Sequence, residues 1–259
     1  MQIIYPGNYS NPDLPDDMFE AEYYFAQKKK IPCLLLHPES TVTGKYQFSG
    51  TFNPDIPVIW RGWMLNTKEY QQLHRAIALL GSTMLSSADD YIRNHHITGW
   101  YECCREFTPE TVITSVDADF EEVTRNLRWP AYFVKDYVKS LTTNRGSIAK
   151  NADEIREIIK LIAHYRGEIE GGICLRHIEY FIENTERRYF VLNKIIYSAD
   201  DNIPPIVYDI ADKINTPFFS VDITENTAGE LRLIEIGDGQ VSDIKEWDIA
   251  RFILMLNNQ

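Results

Sequence analysis

Residues 218–240 read FFSVDITENTAGELRLIEIGDGQ, and this stretch decides the fold. Two apolar strands, 218–223 and 231–236, are separated by a turn, which predicts a β-hairpin. Asp222 and Glu235 each stand between two apolar residues, so each carboxylate points to the face opposite its neighbours. Two carboxylates on one sheet face repel each other unless a cation lies between them, and Mg²⁺ suits such ligands. The hairpin therefore indicates a Mg²⁺ site, with a solvated polar face as the alternative.

Composition limits the class of protein. The chain has 259 residues, 44% of them hydrophobic, and a formal net charge of −12. This is an ordinary globular composition, long enough for one large domain or two modest ones. Because an acidic surface repels phosphate backbones, we expect no nucleic-acid partner. No signal peptide and no apolar run near ~18 residues is visible, so we expect no membrane partner and a soluble, cytoplasmic protein.

The first third of the chain alternates between strand and helix patterns. These patterns occur at residues 1–5, 16–29, 31–36, 57–60 and 67–80. Such alternation predicts a small open α/β domain over residues 1–95, with 96–128 as a connecting segment. From residue 129 onward, strands outnumber helices and the sheet is expected to be largely antiparallel. The fold class is therefore an α/β domain followed by an α+β domain at 129–259.

Individual elements of the second part follow from local patterns. Strands are predicted at residues 131–135, 173–182, 188–197, 218–223 and 231–236, and helices at 152–166, at 204–215 and from Ser242 onward. Lys135 ends the first of these strands and Lys139 follows four residues later. A lysine at a strand end can reach a phosphate as a point charge, although each is also compatible with a surface lysine. Neither the P-loop pattern nor the Rossmann glycine pattern is present.

Four segments occur in an order that resembles a known superfamily. They are FVKDYVKS at 133–140, Leu175-Arg176, ERRYF at 186–190, and Asp222 through Ser242. The sequence resembles the ATP-grasp superfamily, and in particular the clade of it that is named for two arginines and a lysine. The resemblance covers about residues 129–247, and residues 60–63 also look like the N-terminal part of that clade.

The resemblance implies a nucleotide site and a metal site. Lys135 would bind the phosphates of ATP, and Glu186 would hold the ribose hydroxyls. A hinge would read the adenine edge through the backbone of Glu179, Tyr180, Phe181 and Ile182. Asp222 and Glu235 would hold Mg²⁺. Many ATP-grasp enzymes place Asn two residues after the metal-binding Glu, but this position is Gly237 here. Asp238 or water would have to supply the missing ligand.

The resemblance also implies catalytic and substrate-binding groups. Arg176 and Arg188 would be the two arginines of the clade and would act in catalysis with Lys139, although each arginine is also compatible with a salt bridge. Arg61 follows a strand end, where open α/β sheets place ligands, and is our candidate anchor for an acidic substrate. The alternative for Arg61 is a structural ion pair packed between tryptophans.

The implied activity is that of an ATP-dependent carboxylate–amine ligase. Such an enzyme activates a carboxylate as an acyl phosphate, which an amine then attacks to form an amide. The expected partners are therefore a small-molecule or peptide carboxylate and an amine, with ATP and Mg²⁺. The alternative, suggested by Gly237, is a protein that keeps the ATP-grasp fold and binds nucleotide without turnover.

Overall fold

The computed structural model describes residues 1–141 and 143–257. Within them the strands are β1 (Gln2–Pro6), β2 (Cys33–Leu36), β3 (Val58–Trp60), β4 (Thr111–Thr114), β5 (Tyr132–Asp136), β6 (Ile148–Ala149), β7 (Ile173–His177), β8 (Arg187–Leu192), β9 (Ile195–Tyr197), β10 (Phe218–Glu225) and β11 (Leu231–Asp238). The helices are α1 (Glu20–Lys28), α2 (Ser40–Thr43), α3 (Thr67–Leu79), α4 (Ala88–His95), α5 (Ile97–Cys104), α6 (Phe120–Leu127), α7 (Ala152–Arg166), α8 (Pro205–Lys213) and α9 (Ile249–Asn257). In the described part of the chain, no helix has the length and apolar character needed to cross a membrane.

The chain forms two compact units. The first contains Met1–Asn94, Arg187–Asp222 and the described residues from Ile236 onward, and the second contains His95–Glu186 and Ile223–Glu235. The division after Asn94 lies next to the predicted domain end at residue 95. The domain limits 1–95, 96–128 and 129–259 stay predictions.

A parallel sheet of order β2-β1-β3 lies in the first unit. Its central strand β1 pairs with β2 at Ile3↔Cys33 and with β3 at Gln2↔Val58. The side chains of β1 are buried throughout, as expected for a strand with neighbours on both edges and helices on its faces. The predicted α/β character of the N-terminal segment is thus confirmed.

An antiparallel sheet of order β4-β7-β5-β6 lies in the second unit and packs against α6 and α7. Helix α7 begins after Asn151, whose side chain accepts a hydrogen bond from Glu154 N–H, and it ends at Gly167 with φ of 83°. Its isoleucines at 155, 158, 159 and 162 pack on the sheet in one core cluster. The helical spacing of these isoleucines is what made α7 predictable.

A third sheet has the order β11-β10-β8-β9, and the boundary between the units falls within β10 and β11. The strand predicted at 188–197 is instead the hairpin β8–β9. Asn193 and Lys194 have φ of 48° and 67°, and Leu192 pairs with Ile195 across them. Positive φ at both central residues is what a tight hairpin turn requires.

Two further boundaries differ from the prediction. Strand β7 ends at His177 instead of residue 182, and Phe181 forms a separate bridge with Asn226. The last helix begins at Ile249 instead of Ser242. The Ser242 hydroxyl donates to the Asp238 carbonyl at 2.8 Å, so it does not cap a helix there.

Candidate active site

The second unit contains a cavity of about 720 Å³. Its apolar lining is Phe133, Val138, Ile148, Ile178, Tyr180, Phe181, Ile182 and Ile234. Its charged lining includes Lys135, Lys139, Arg176, Glu179, Glu186 and Glu235. The structure therefore brings together the predicted phosphate-binding, hinge and ribose-binding residues, one predicted arginine and one of the two predicted metal ligands.

Lys135 and Glu235 form the charged centre of this cavity. Lys135 lies on β5 opposite Cys174, is only 5% exposed, and its Nζ is 3.0 Å from Glu235 Oε1. Burial alone raises the pKa of Glu235, but the positive charges of Lys135, Lys139 and Arg176 outweigh it and hold this pKa at about 2. Glu235 is therefore ionised at neutral pH and available to a cation.

A buried carboxylate fixes the turn that follows β5. Asp136 is fully buried, and its Oδ1 accepts hydrogen bonds from the N–H groups of Val138 at 2.8 Å and Lys139 at 2.6 Å. Its Oδ2 accepts from Glu170 N–H at 3.2 Å and pairs with Arg166. The Asp136 N–H closes the turn on the Lys139 carbonyl at 3.0 Å. This turn presents Lys139 to the cavity.

Arg176 carries a buried donor without a partner. Its Nη1 donates to the Ile234 carbonyl at 2.9 Å, and its Nε lies 3.4 Å from Thr111 Oγ1. Among the described residues, no acceptor lies within hydrogen-bond reach of its buried Nη2. Burial lowers the pKa of Arg176, while the charge of Glu235 raises it. An unpaired buried N–H is costly, so Nη2 is suited to an anionic oxygen from a ligand.

The predicted hinge presents both backbone groups and apolar surface. Phe181 pairs with Asn226 in an isolated antiparallel bridge. The bridge is closed by the Ile182 N–H, which donates to the Glu225 carbonyl at 2.8 Å, and by the Tyr180 carbonyl, which accepts from the Thr227 N–H at 2.9 Å. In such a pair the N–H and C=O of the central residue point away from the partner segment. Tyr180, Phe181 and Ile182 are 76%, 36% and 42% exposed. The backbone N–H and C=O of Phe181 can therefore bind the polar edge of a flat ring, and the apolar side chains beside them can cover its face.

Two of the hinge-side carboxylates, Glu179 and Glu186, differ in their surroundings. Glu179 is held by Arg232 through two hydrogen bonds of 2.9 Å, which fixes the start of the hinge. Glu186 is exposed and lines the cavity. Glu179 would therefore contribute its backbone to the hinge, and the ribose-binding role of Glu186 stays a prediction.

In the first unit, Asp222 and Arg188 form a buried ion pair. Arg188 Nε and Nη2 donate to the two oxygens of Asp222 at 2.7 and 2.6 Å, and Lys245 Nζ donates to the same carboxylate at 2.9 Å. Arg188 Nη1 donates to the Asp243 carbonyl at 2.6 Å. Asp222 is thus occupied by cationic side chains and the Arg188 guanidinium is bound within the protein, which does not favour the predicted metal-binding role of Asp222 or the predicted catalytic role of Arg188.

The predicted substrate anchor Arg61 is also bound within the first unit. It is 3% exposed, and its Nε and Nη2 donate to Glu22 at 2.7 and 2.8 Å. Its Nη1 donates to the carbonyls of Gln240 and Ser242 at 3.0 and 2.7 Å. Its Cζ lies 4.7 Å from the centroid of the Phe252 ring. These surroundings favour the alternative of a structural ion pair, packed on phenylalanine instead of tryptophan, over the predicted anchoring role.

The sequence matches a family model over residues 109–256, which describes an ATP-grasp domain, family 3 of the clade named for two arginines and a lysine. The chain belongs to this family of ATP-grasp ligases. The match covers the cavity of the second unit with its Lys135, Arg176 and Glu235. No curated protein sequence matches the chain.

This ATP-grasp ligase is similar over its full length to several solved structures. A D-cycloserine synthetase has a TM-score of 0.65 at 9% identity, covering 99% of this chain and 98% of that one. D-alanyl-alanine synthetase A from Vibrio cholerae has a TM-score of 0.65 at 10% identity, covering 100% and 94%. D-alanine–D-alanine ligase from Bacillus anthracis, complexed with ATP, has a TM-score of 0.61 at 13% identity, covering 99% and 95%. At such identities the similarity establishes the fold alone.

The ligands implied for Mg²⁺ in this ATP-grasp ligase fit the ion unequally. Glu235 lines the cavity with a side chain that is 32% exposed, and one carboxylate with phosphate oxygens and water is enough for Mg²⁺. Asp222 does not fit, because Arg188 and Lys245 occupy it. Within the described residues, no group of three or more His, Cys, Asp or Glu side chains is placed to hold a metal.

Sequence reasoning missed three groups of this ligase that the structure makes important. Asp136, Arg232 and Lys245 fix, respectively, the lysine turn, the hinge and the Asp222 carboxylate. For Asp136 a signal existed, since an acidic residue directly after a buried strand and just before a turn often accepts backbone N–H bonds. The partners of Arg232 and Lys245 are Glu179 and Asp222. Both are distant in sequence and are two acids among many, so no local pattern identifies them.

Proposed function

We propose that this ligase binds ATP in the cavity of the second unit and joins a carboxylate to an amine through an acyl phosphate. The observation that carries the proposal is Arg176 Nη2, a buried cationic donor without a protein acceptor among the described residues. The residue Arg176 lines the same cavity as Lys135 and Lys139. Four glutamates line the same cavity, but two of them are paired within the protein, Glu179 with Arg232 and Glu235 with Lys135, so the cationic groups can still attract an anionic ligand.

The nucleotide would lie along the cavity from the hinge to the lysines. Phe181 N–H and C=O would read the base edge, and the apolar hinge side chains would cover the ring. Glu186 would accept from the ribose hydroxyls. Lys135 and Lys139 would meet the phosphates as point charges.

The proposed reaction has two steps. A carboxylate oxygen of the substrate attacks the γ-phosphorus of ATP, the bond to the β-phosphate oxygen breaks, and ADP leaves. The amine nitrogen then attacks the acyl carbon, the carbon–oxygen bond to phosphate breaks, and an amide and inorganic phosphate form while the amine loses a proton. The carboxylate's own oxygen leaves with the phosphate.

The chain's residues would act by positioning and by charge. Phosphoryl transfer needs groups that neutralise the charge that develops on the phosphoryl oxygens, and Arg176 and Lys135 are already fixed by protein contacts. Because they are preorganised, they need little rearrangement when the charge develops. Mg²⁺, when bound with the nucleotide at Glu235, would supply further neutralisation of the phosphates.

Trapping of the activated carboxylate tests this proposal. With ATP and a panel of carboxylates, hydroxylamine in place of the amine is expected to give a hydroxamate together with one ADP per hydroxamate. The Arg176→Ala variant is expected to lose this product. Nucleotide binding without ADP formation for any carboxylate–amine pair would support the alternative of a binding protein, and ADP formation without hydroxamate would contradict the acyl phosphate.

A further inference from the structure

A side chain at Gly237, two residues after the proposed metal ligand Glu235, would press against two buried hydroxyls. A Cβ added at Gly237 would lie 2.8 Å from Ser220 Oγ and 2.9 Å from Ser242 Oγ. These two buried hydroxyls are hydrogen-bonded to each other at 2.7 Å. Ser242 is also tied to the Asp238 carbonyl. The serine pair thus fills the space into which an asparagine at this position would extend.

Asp238 does not replace the missing ligand. It is fully buried, and its oxygens accept hydrogen bonds from Asn94 Nδ2 at 3.2 Å and from Gln240 Nε2 at 2.9 Å and Gln240 N–H at 3.1 Å. A carboxylate surrounded by three donors on its own unit has little capacity left for a metal.

Asp222 is neutralised by protein cations. Arg188 binds both of its oxygens in a fork, and Lys245 binds one of them, while the carboxylate is only 3% exposed. A divalent ion at Asp222 would have to approach an arginine and a lysine that are already in contact with its ligand. Breaking a buried, bidentate pair is costly, so this carboxylate is committed to Arg188.

We propose that this ligase loads one divalent ion with each nucleotide, held by Glu235, and that Arg188 and Lys245 take the place of a second ion at Asp222. The inference rests on the proposed function, because the ion enters with ATP. It assigns Arg188 and Lys245 to the neutralisation of Asp222, and it explains why Gly237 is compatible with a working enzyme.

The number of ions bound per nucleotide tests the proposal. Equilibrium dialysis of the full chain with Mn²⁺ and a non-hydrolysable ATP analogue is expected to give one Mn²⁺ per bound nucleotide. Zero or two ions per nucleotide would overturn the inference while leaving ATP binding intact. Absence of bound nucleotide would instead overturn the proposed function, so the two failures are distinguishable.

Two variants locate the ion. Glu235→Gln is expected to weaken Mn²⁺ binding to the nucleotide complex at least tenfold, whereas Asp222→Asn leaves one ion per nucleotide with unchanged Mn²⁺ affinity. Loss of Mn²⁺ from folded Asp222→Asn would overturn the assignment. If Asp222→Asn does not fold, the wild-type count and the Glu235→Gln result decide the question.

A second measurement tests the role of the serine pair. Gly237→Asn is expected to lower the Tm strongly in the wild-type background and much less in a Ser220→Ala, Ser242→Ala background, which frees the occupied space. An equal loss of Tm in the two backgrounds would show that the hydroxyls do not exclude the side chain.

Discussion

Lys135 Nζ lies 3.0 Å from Glu235 Oε1, so the cavity holds a cation and an anion in direct contact. Each is suited to a different part of a metal–nucleotide complex, the lysine to phosphate and the glutamate to the ion. Binding of such a complex would replace the Lys135–Glu235 ion pair by two others, one between Lys135 and phosphate and one between Glu235 and the metal ion. The pair therefore keeps both groups charged and oriented before the ligand arrives.

Removal of the Lys135 charge is expected to weaken nucleotide binding. Lys135→Met keeps the volume of the buried stem but loses a charge-assisted contact worth about 1.5–3 kcal/mol, which corresponds to about 10- to 100-fold in Kd. Calorimetric titration with ADP and ATP measures the change. Lys160→Met removes an exposed lysine of α7 as the matched control. Equal affinities of Lys135→Met and wild type would remove Lys135 from the site.

Arg176→Lys is expected to reduce turnover more than nucleotide affinity. Lysine keeps a positive charge but lacks the planar guanidinium. In arginine, Nη1 donates to the Ile234 carbonyl and Nη2 remains for a ligand. We expect kcat to fall about 10- to 100-fold with a smaller change in the Kd of ATP, measured by ADP formation and calorimetry. If kcat is unchanged while the Tm falls, Arg176 has a structural role only.

The turn held by Asp136 is expected to control Lys139. Asp136→Ala loses the acceptor for both backbone N–H groups of the turn, whereas Asp136→Asn keeps one oxygen for them. We expect the Kd of ATP to rise about tenfold in the alanine variant and less in the asparagine variant.

Arg166→Gln is the control for Asp136. It removes the ion pair with Asp136 but leaves the turn, so a lower Tm with nearly unchanged Kd is expected. If all three variants change Tm and Kd in parallel, Asp136 acts on stability and not on Lys139.

Asp238 is expected to make stability depend on pH. Burial raises its pKa from 3.8 to about 6, against hydrogen bonds from Gln240 and Asn94 that lower it. Between these two values the native state holds a proton that the unfolded state has released. The contribution of Asp238 to the unfolding free energy therefore falls as pH rises through about 6 and becomes constant above that. At roughly 1.4 kcal/mol per pKa unit, the change is about 3 kcal/mol.

Comparison of Asp238→Asn with wild type isolates this contribution. Asparagine does not ionise. The unfolding free energy of the wild type is therefore expected to fall relative to that of Asp238→Asn as the pH rises from 3.8 to about 6, and the difference is expected to be constant at higher pH. Urea denaturation across this range measures it. A difference independent of pH would contradict the raised pKa of Asp238.

The cavity was predictable because its residues follow strand ends and turns that the sequence marks. Lys135 ends a strand of apolar residues, and Glu235 stands between isoleucines in a strand of the hairpin. The ion-pair partners of Arg61 and Asp222 could not be predicted, for a common physical reason. Strand patterns give the face on which a charged side chain lies but not its partner, and Glu22 and Arg188 are distant in sequence.

Element boundaries show the same limit. Ser242 precedes acidic residues in a pattern typical of a helix start, but its hydroxyl bonds Ser220 and the Asp238 carbonyl in the fold. The hairpin at Asn193 was missed because its flanking strands together resemble one long strand. Tertiary contacts of the Ser242 hydroxyl therefore determine where the last helix begins, and the turn at Asn193 determines where β8 ends.

A crystal structure of the full chain with Mg²⁺ and a non-hydrolysable ATP analogue tests the central claim most directly. The account predicts the base edge at the Phe181 backbone and phosphate oxygens within about 3.2 Å of Lys135 Nζ and Arg176 Nη2. A nucleotide bound outside this cavity, or phosphates beyond hydrogen-bond reach of both side chains, would contradict it.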